Sequence, residues 1–71
     1  MAKRKGIPKN LNLIKEVLES RDLTQSWLAG QLDIEFRTIN RYANNVRQPS
    51  LETLFRIAEI LKVNVKDLIN S

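Results

Sequence analysis

Two arginines and two asparagines recur at helical spacing near the middle of the chain, with no acidic residue among them. They are Arg37, Asn40, Arg41 and Asn44. At about 100° per residue they share one face of a helix, within roughly one third of its circumference. In a DNA major groove, arginine reads guanine and asparagine reads adenine. The pattern therefore favours a nucleic-acid contact over an ordinary solvated face, which usually mixes glutamate with lysine.

The opposite side of the same segment is apolar, which gives this helix a face to bury. It consists of Ile39, Tyr42 and Ala43. We predict a helix over 36–44 that stops at Asn44 and Asn45, because asparagine tolerates left-handed backbone geometry. The helix is amphipathic, with its polar residues directed away from the core.

A shorter helix precedes it. Residues 25–32 are predicted to be helical with Thr24 as N-cap, and a three-residue turn leads into the 36–44 segment. These lengths are typical of a helix-turn-helix, whose second helix presents its early residues to base edges. The early positions are Phe36, Arg37, Asn40 and Arg41.

Three further helices complete an all-α prediction, because nothing in the chain alternates like a strand. They cover roughly 11–20, 51–61 and 65–70. Ser50 and Asn64 are predicted N-caps of the last two, and Asp67 occupies the capping-box position. Gly6 and Pro8 disfavour helix before residue 11. We therefore divide the chain into a flexible basic arm, 1–10, and one helical domain, 11–71.

Positive charge is concentrated in two stretches of the 71-residue chain. Residues 1–10 hold four cations and residues 36–50 hold three, in both cases without an acid. The other residues hold five cations and eight acids, and the whole chain has a formal charge of +4. Two basic stretches on an acidic body suit a surface that binds a polyanion. A solvated tail with chance clustering is the alternative.

Composition excludes several classes of protein. The chain has no histidine and no cysteine, which excludes serine–histidine and cysteine–histidine catalysis and thiolate metal sites. It has neither a phosphate loop nor metal-ligand spacing. No apolar run approaches the ~18 residues of a membrane helix. We expect a cytoplasmic protein that is not an enzyme and needs no cofactor or metal.

An ordered series of residues over 13–69 resembles the phage-repressor, or Cro/XRE-like, helix-turn-helix family. The first half of the series is Thr24-Gln25, Leu28-Ala29, Ile34 and Thr38-Ile39. The second half is Pro49-Ser50-Leu51-Glu52-Thr53-Leu54, Ile57-Ala58 and Leu61-Lys62-Val63. The resemblance implies a compact five-helix, lambda-repressor-like domain that binds operator DNA, usually as a dimer.

The resemblance also implies roles for individual residues. Base contacts are implied for Phe36, Arg37, Asn40 and Arg41. Contacts to the DNA backbone are implied for Gln25, Thr38, Asn44 and the peptide groups near Val46 and Arg47. The arm adds Lys3, Arg4 and Lys5 as candidates for phosphate or minor-groove contact. The arm is alternatively a solubilising tail.

Several positions depart from the family pattern. Asp33 stands where glycine is usual, and Glu35 where a serine or threonine often caps the helix. Phe36 replaces a commonly polar residue, and either presses on a thymine methyl or tucks toward Ala43. Leu18 and Ala43 together replace a buried arginine–glutamate pair. Because both changed, we predict that the first helix packs on the third.

One recognition helix reads only a few base pairs, so we expect a homodimer on half-sites about 34 Å apart. The candidate interface consists of apolar residues in excess of the core: Ile60, Val63, Val65 and Ile69. Trp27 lies opposite the buried stripe of its helix and is expected to pack rather than to read bases.

The sequence thus predicts a sequence-specific transcription regulator, a repressor or an operon controller. One alternative is an antitoxin or restriction–modification controller that uses the same surface. Another is a protein-interaction bundle without DNA binding. RNA binding is disfavoured because no exposed aromatic platform is evident.

Overall fold

A computed structural model describes residues 10–70 of the chain, which form four α-helices and one short 3-10 helix. The helices are α1 (Ile14–Ser20), α2 (Gln25–Leu32), α3 (Phe36–Ala43) and α4 (Leu51–Leu61), and the 3-10 helix spans Val65–Leu68. The predicted all-α class is confirmed. The predicted arm contacts Lys3, Arg4 and Lys5 lie outside the described residues.

The N-caps of α2 and α4 form as predicted. Thr24 accepts a hydrogen bond from the Trp27 N–H at 3.0 Å, and Ser50 accepts one from the Thr53 N–H at 3.1 Å. Before the 3-10 helix, the Asp67 carboxylate accepts from the Asn64 N–H at 3.2 Å. Each bond satisfies an amide that has no partner within its helix, so these three element starts are fixed by local chemistry.

The predicted boundaries are wrong at the two ends of the domain. α1 begins at Ile14 rather than at residue 11, and the last element is a 3-10 helix that ends at Leu68 rather than an α-helix over 65–70. The Leu13 N–H donates to the Leu68 carbonyl, and the Asn70 N–H donates to the Leu11 carbonyl, both at 2.9 Å. Backbone groups engaged in this antiparallel bridge cannot also pair within a helix.

The core lies where all five elements meet. Six large side chains are fully or almost fully buried: Ile14, Leu18, Leu28, Ile39, Ile57 and Leu68. Leu18 and Ala43 are both buried, and α1 contacts α3, as the loss of the ion pair predicted. None of the helices found in residues 10–70 has the length and apolarity to cross a membrane.

The turn between α2 and α3 sets the position of α3. Asp33 adopts the left-handed conformation, with φ 56° and ψ 45°. Glycine suits this conformation best, and aspartate is among the few other residues that tolerate it. Ile34 then packs against the core, and its N–H donates to the Ala29 carbonyl at 3.0 Å. The departure from glycine at Asp33 therefore leaves the turn intact.

Candidate nucleic-acid interface

Helix α3 has the two faces that its sequence predicted. Ile39, Tyr42 and Ala43 are buried. The opposite side, which we call the α3 polar face, comprises Arg37, Asn40, Arg41 and Asn44. Asn40 is half-buried and the other three side chains are exposed. Helix α3 contains no acidic residue, and Glu35 lies just before its first residue. The α3 polar face is therefore a cationic surface that is open to a partner.

Two of the predicted contact residues are joined by a hydrogen bond. Asn40 Nδ2 donates to Gln25 Oε1 at 2.9 Å, which links α3 to the first residue of α2. The bond fixes the rotation of the Asn40 carboxamide before any ligand arrives. It leaves the Asn40 oxygen and the second amide hydrogen available, together with the Gln25 side-chain NH₂.

Phe36 lies at the edge of this face, at the first position of α3. Its side chain is 51% exposed, and it lines a shallow groove together with Gln25 and Asn40. Of the two alternatives for Phe36, this arrangement favours the outward one over packing toward Ala43. The groove therefore presents an apolar ring, from Phe36, and a polar carboxamide, from Asn40.

The start of α3 differs from the starts of α2 and α4. Glu35 has the extended backbone of an N-cap, but its side chain makes no capping hydrogen bond. Glutamate is a poor N-cap, as expected from the sequence. The exposed carboxylate instead places a negative charge at the N-terminal edge of the α3 polar face.

The loop after α3 contains the peptide groups near Val46 and Arg47 that the resemblance assigns to phosphate contact. The Val46 N–H donates to the Arg41 carbonyl at 2.9 Å, and the Arg47 N–H donates to the same oxygen at 3.3 Å. Both N–H groups therefore have a partner within the chain, the Arg47 one at the longer distance. The Arg47 side chain is exposed.

Asn12 has no role that its sequence pattern predicts. This residue is 3% exposed and is the one buried polar or charged side chain in residues 10–70. It donates to the Tyr42 carbonyl at the end of α3 and to the Gln48 side chain. No periodicity marks Asn12, because it lies before α1 and the two partners to which it donates are 30 and 36 residues away. In the sequence, Asn12 stands out only as a polar residue between Leu11 and Leu13.

The residues predicted for a dimer interface are not all in excess of the core. Ile60, Val63 and Val65 are partly buried and pack against it. Only Ile69, at 43%, is an exposed large side chain, and its backbone pairs with Asn12. Val63 and Val65 nevertheless line an open groove, here the α4 groove, with Phe55 of α4. Phe55 is 53% exposed and was not predicted for this role.

Three aromatic side chains are exposed, but each lies on a different helix. Trp27, Phe36 and Phe55 are all exposed, and only Tyr42 among the four aromatic residues is buried. The three lie on different helices, α2, α3 and α4. Trp27 thus contributes to the outside of α2 rather than to the core.

Comparison with known proteins agrees with this geometry. The model of a helix-turn-helix family, of the Cro/XRE type, matches residues 14–68. The chain is also similar to a solved structure from Bacteroides fragilis, provisionally described as a DNA-binding protein. The two are 45% identical, with a TM-score of 0.83 over 84% of this chain and 97% of the other. No curated protein matches the sequence.

The family match covers most of the chain, and it includes every helix described above. The chain therefore belongs to the Cro/XRE-type helix-turn-helix family, whose members are DNA-binding regulators. The resemblance seen in the sequence is confirmed.

Proposed function

We propose that this protein is a sequence-specific transcription regulator that reads the major groove of duplex DNA with α3. The observation that carries the proposal is the exposed, acid-free α3 polar face on a helix-turn-helix scaffold. Arg37 and Arg41 are the candidate readers of guanine, by paired donation to O6 and N7. Regulation then follows from occupancy: the bound protein excludes or recruits polymerase, without catalysis or a cofactor.

Asn40 is the candidate reader of adenine. Its bond to Gln25 uses one amide hydrogen and leaves an acceptor and a donor side by side. That pair matches the N6 amino group and N7 of adenine in the major groove. Phe36, beside it, is placed to contact a thymine methyl group. The two side chains together would favour A·T pairs at the N-terminal end of α3.

The DNA backbone would be held on both sides of α3. Gln25, at the start of α2, keeps its side-chain NH₂ for a phosphate while its oxygen holds Asn40. Thr38, Asn44 and Arg47 are the further candidates within the described residues, and Lys3, Arg4 and Lys5 extend the set into the N-terminal arm. Phosphate contacts fix register and orientation, whereas the base contacts give specificity.

The proposal includes a cytoplasmic location and a homodimer. The homodimer is expected because one α3 reads too few base pairs for useful specificity. The candidate interface keeps Ile60, Val63, Val65 and Ile69, and the α4 groove adds Phe55. Ile69 and Phe55 are the members with most surface to lose on association.

Selection of bound duplexes from a random pool tests the proposed function. We expect an enriched site with two related half-sites whose centres lie about 10 base pairs, or about 34 Å, apart. Enrichment of a single half-site would support base reading by α3 and contradict the homodimer. Binding that is independent of sequence would contradict the proposed base reading. Absence of duplex binding would contradict the proposed function and favour a protein-interaction role.

A further inference from the structure

The loop that follows α3 is attached to the N-terminal segment by three side-chain amides. We call Asn12, Asn45 and Gln48 the amide network. Asn12 Nδ2 donates to the Tyr42 carbonyl at 2.9 Å and to Gln48 Oε1 at 2.8 Å, and its Oδ1 accepts from the Ile14 N–H at 3.1 Å. Both amide hydrogens of this buried side chain are thus in use, which is what burial of a carboxamide requires.

Asn45 completes the network from the other side. Its Oδ1 accepts from the Asn12 N–H at 2.9 Å, and its Nδ2 donates to the Asn12 carbonyl at 3.2 Å. Gln48 Nε2 also donates to Asn45 Oδ1, at 3.1 Å. Asn45 has a positive φ of 58°, a left-handed conformation that asparagine tolerates. The network therefore fixes both residues that flank Val46 and Arg47.

Arg47 lies between the two loop residues of the amide network. The Arg47 side chain is exposed, and its backbone is bracketed by Asn45 and Gln48. The last turn of α3 is held by the same Asn12 side chain through the Tyr42 carbonyl. One buried carboxamide thus couples the end of the α3 polar face to the loop that carries the next cation.

We propose that Asn12 is a positioning residue: through Asn45 and Gln48 it holds the loop over 44–48 so that Arg47 contacts a phosphate while α3 lies in the groove. The inference rests on the proposed function. It adds a residue that touches no DNA, and it predicts that the effect of Gln48 on DNA affinity passes through Arg47.

The test is a double-mutant cycle on the operator duplex obtained by selection. Arg47→Ala should reduce the slope of log K against log[salt] by about 0.9, the value of one phosphate contact. Gln48→Ala should produce part of the same loss in the wild-type background and almost none after Arg47→Ala, a coupling of roughly threefold or more in affinity. Equal losses in both backgrounds, or no loss in either, would overturn the proposal.

Two further variants separate positioning from folding. Asn45→Gly keeps the left-handed turn, which glycine adopts readily, but removes both bonds to the Asn12 backbone. It should show the same coupling to Arg47. Asn70→Ala is the matched control, since Asn70 bonds to Asn10 in the same N-terminal segment and not to the loop. It should leave the salt slope unchanged, and a slope reduced as in Gln48→Ala would count against the inference.

Amide hydrogen exchange in the free protein tests the loop without DNA. The Val46 N–H, bonded to the Arg41 carbonyl, should exchange at least several times faster in Asn12→Ala or Gln48→Ala, while the Trp27 N–H in α2 should not change. If the exchange rate of the Val46 N–H is unchanged in a folded variant, Asn12 does not order the loop. The inference then fails, while the proposed function stands. Absence of duplex binding by the wild type would instead contradict the proposed function.

Discussion

The outer faces of α3 and α4 differ in composition although both helices bury a similar apolar stripe. Helix α3 buries Ile39, Tyr42 and Ala43, and α4 buries Leu54, Ile57, Ala58 and Leu61. Outside, α3 shows arginine and asparagine without any acid, whereas α4 shows Glu52, Arg56 and Glu59 together with Leu51 and Phe55. The fold depends on the buried stripes, so the composition of the outer faces is free to differ.

Charge indicates what each face can bind. Phosphates would be repelled by the two glutamates of α4 and attracted to the acid-free surface of α3. Mixed charge around exposed apolar side chains is instead compatible with a protein partner, because interface cores are apolar and their rims polar. These charges support the proposed contact of the duplex with α3 and the proposed association between copies through α4.

The largest expected effect comes from removing the cations of α3. Arg37→Ala with Arg41→Ala should abolish preference for the selected duplex, since each arginine is expected to supply about 1–3 kcal/mol of base discrimination. Fluorescence anisotropy on a duplex with one half-site measures this without any contribution from association between copies. Arg56→Ala, on the outer face of α4, is the matched control and should bind like the wild type. An equal loss in the control would remove the distinction between the two faces.

A charge-conserving version of the same change sharpens the result. Arg37→Lys with Arg41→Lys should retain the salt dependence of binding but lose much of the sequence preference, because lysine lacks the two-pronged geometry that reads guanine. Retained preference would mean that these side chains contact phosphates rather than bases.

An intermediate effect is expected on the other face. Phe55→Ser should weaken association between copies by about tenfold, the effect of losing a modest interface anchor. The measurements are sedimentation and the cooperativity of binding to a duplex with two half-sites. Leu51→Ser is the control, because Leu51 is 66% exposed one turn earlier and does not line the α4 groove. Unchanged association in Phe55→Ser would move the proposed interface away from this groove.

The smallest effect concerns the acid at the start of α3. Glu35→Gln removes a negative charge near the expected phosphates and should raise duplex affinity by a few tenths of a kcal/mol, roughly twofold, at low salt. Glu52→Gln, in the first turn of α4, should change affinity less. A loss of affinity in Glu35→Gln, confined to duplexes with cytosine at one position, would instead show that Glu35 accepts from a cytosine amino group.

Local chemistry explains which features of the fold were predictable. The caps Thr24 and Ser50 act on amides three residues away, so the starts of α2 and α4 could be read from short stretches of sequence. The burial of Ile39 and its neighbours follows from helical periodicity alone. The start of α1 could not be predicted, because residues 11–13 pair with the far end of the chain.

The candidate site likewise has features that the sequence predicts and features that it does not. The composition of the α3 polar face is visible in the sequence, and so is the family to which the chain belongs. Its contact roles remain predictions, supported by exposure of Arg37 and Arg41. The α4 groove was missed, because periodicity shows that Phe55 flanks a buried stripe but not that a later turn brings Val63 and Val65 beside it.

The sequence by itself determined the helical class, the helix-turn-helix and the separation of cations from acids, since each depends on neighbours within a few residues. Only the tertiary structure decided how the side chains of the site are held. The bond from Asn40 to Gln25 spans 15 residues, and those from Asn12 to Tyr42 and Gln48 span 30 and 36. Contacts at such separations form only after the core has packed, because burial of the apolar stripes is what brings these amides within hydrogen-bonding distance.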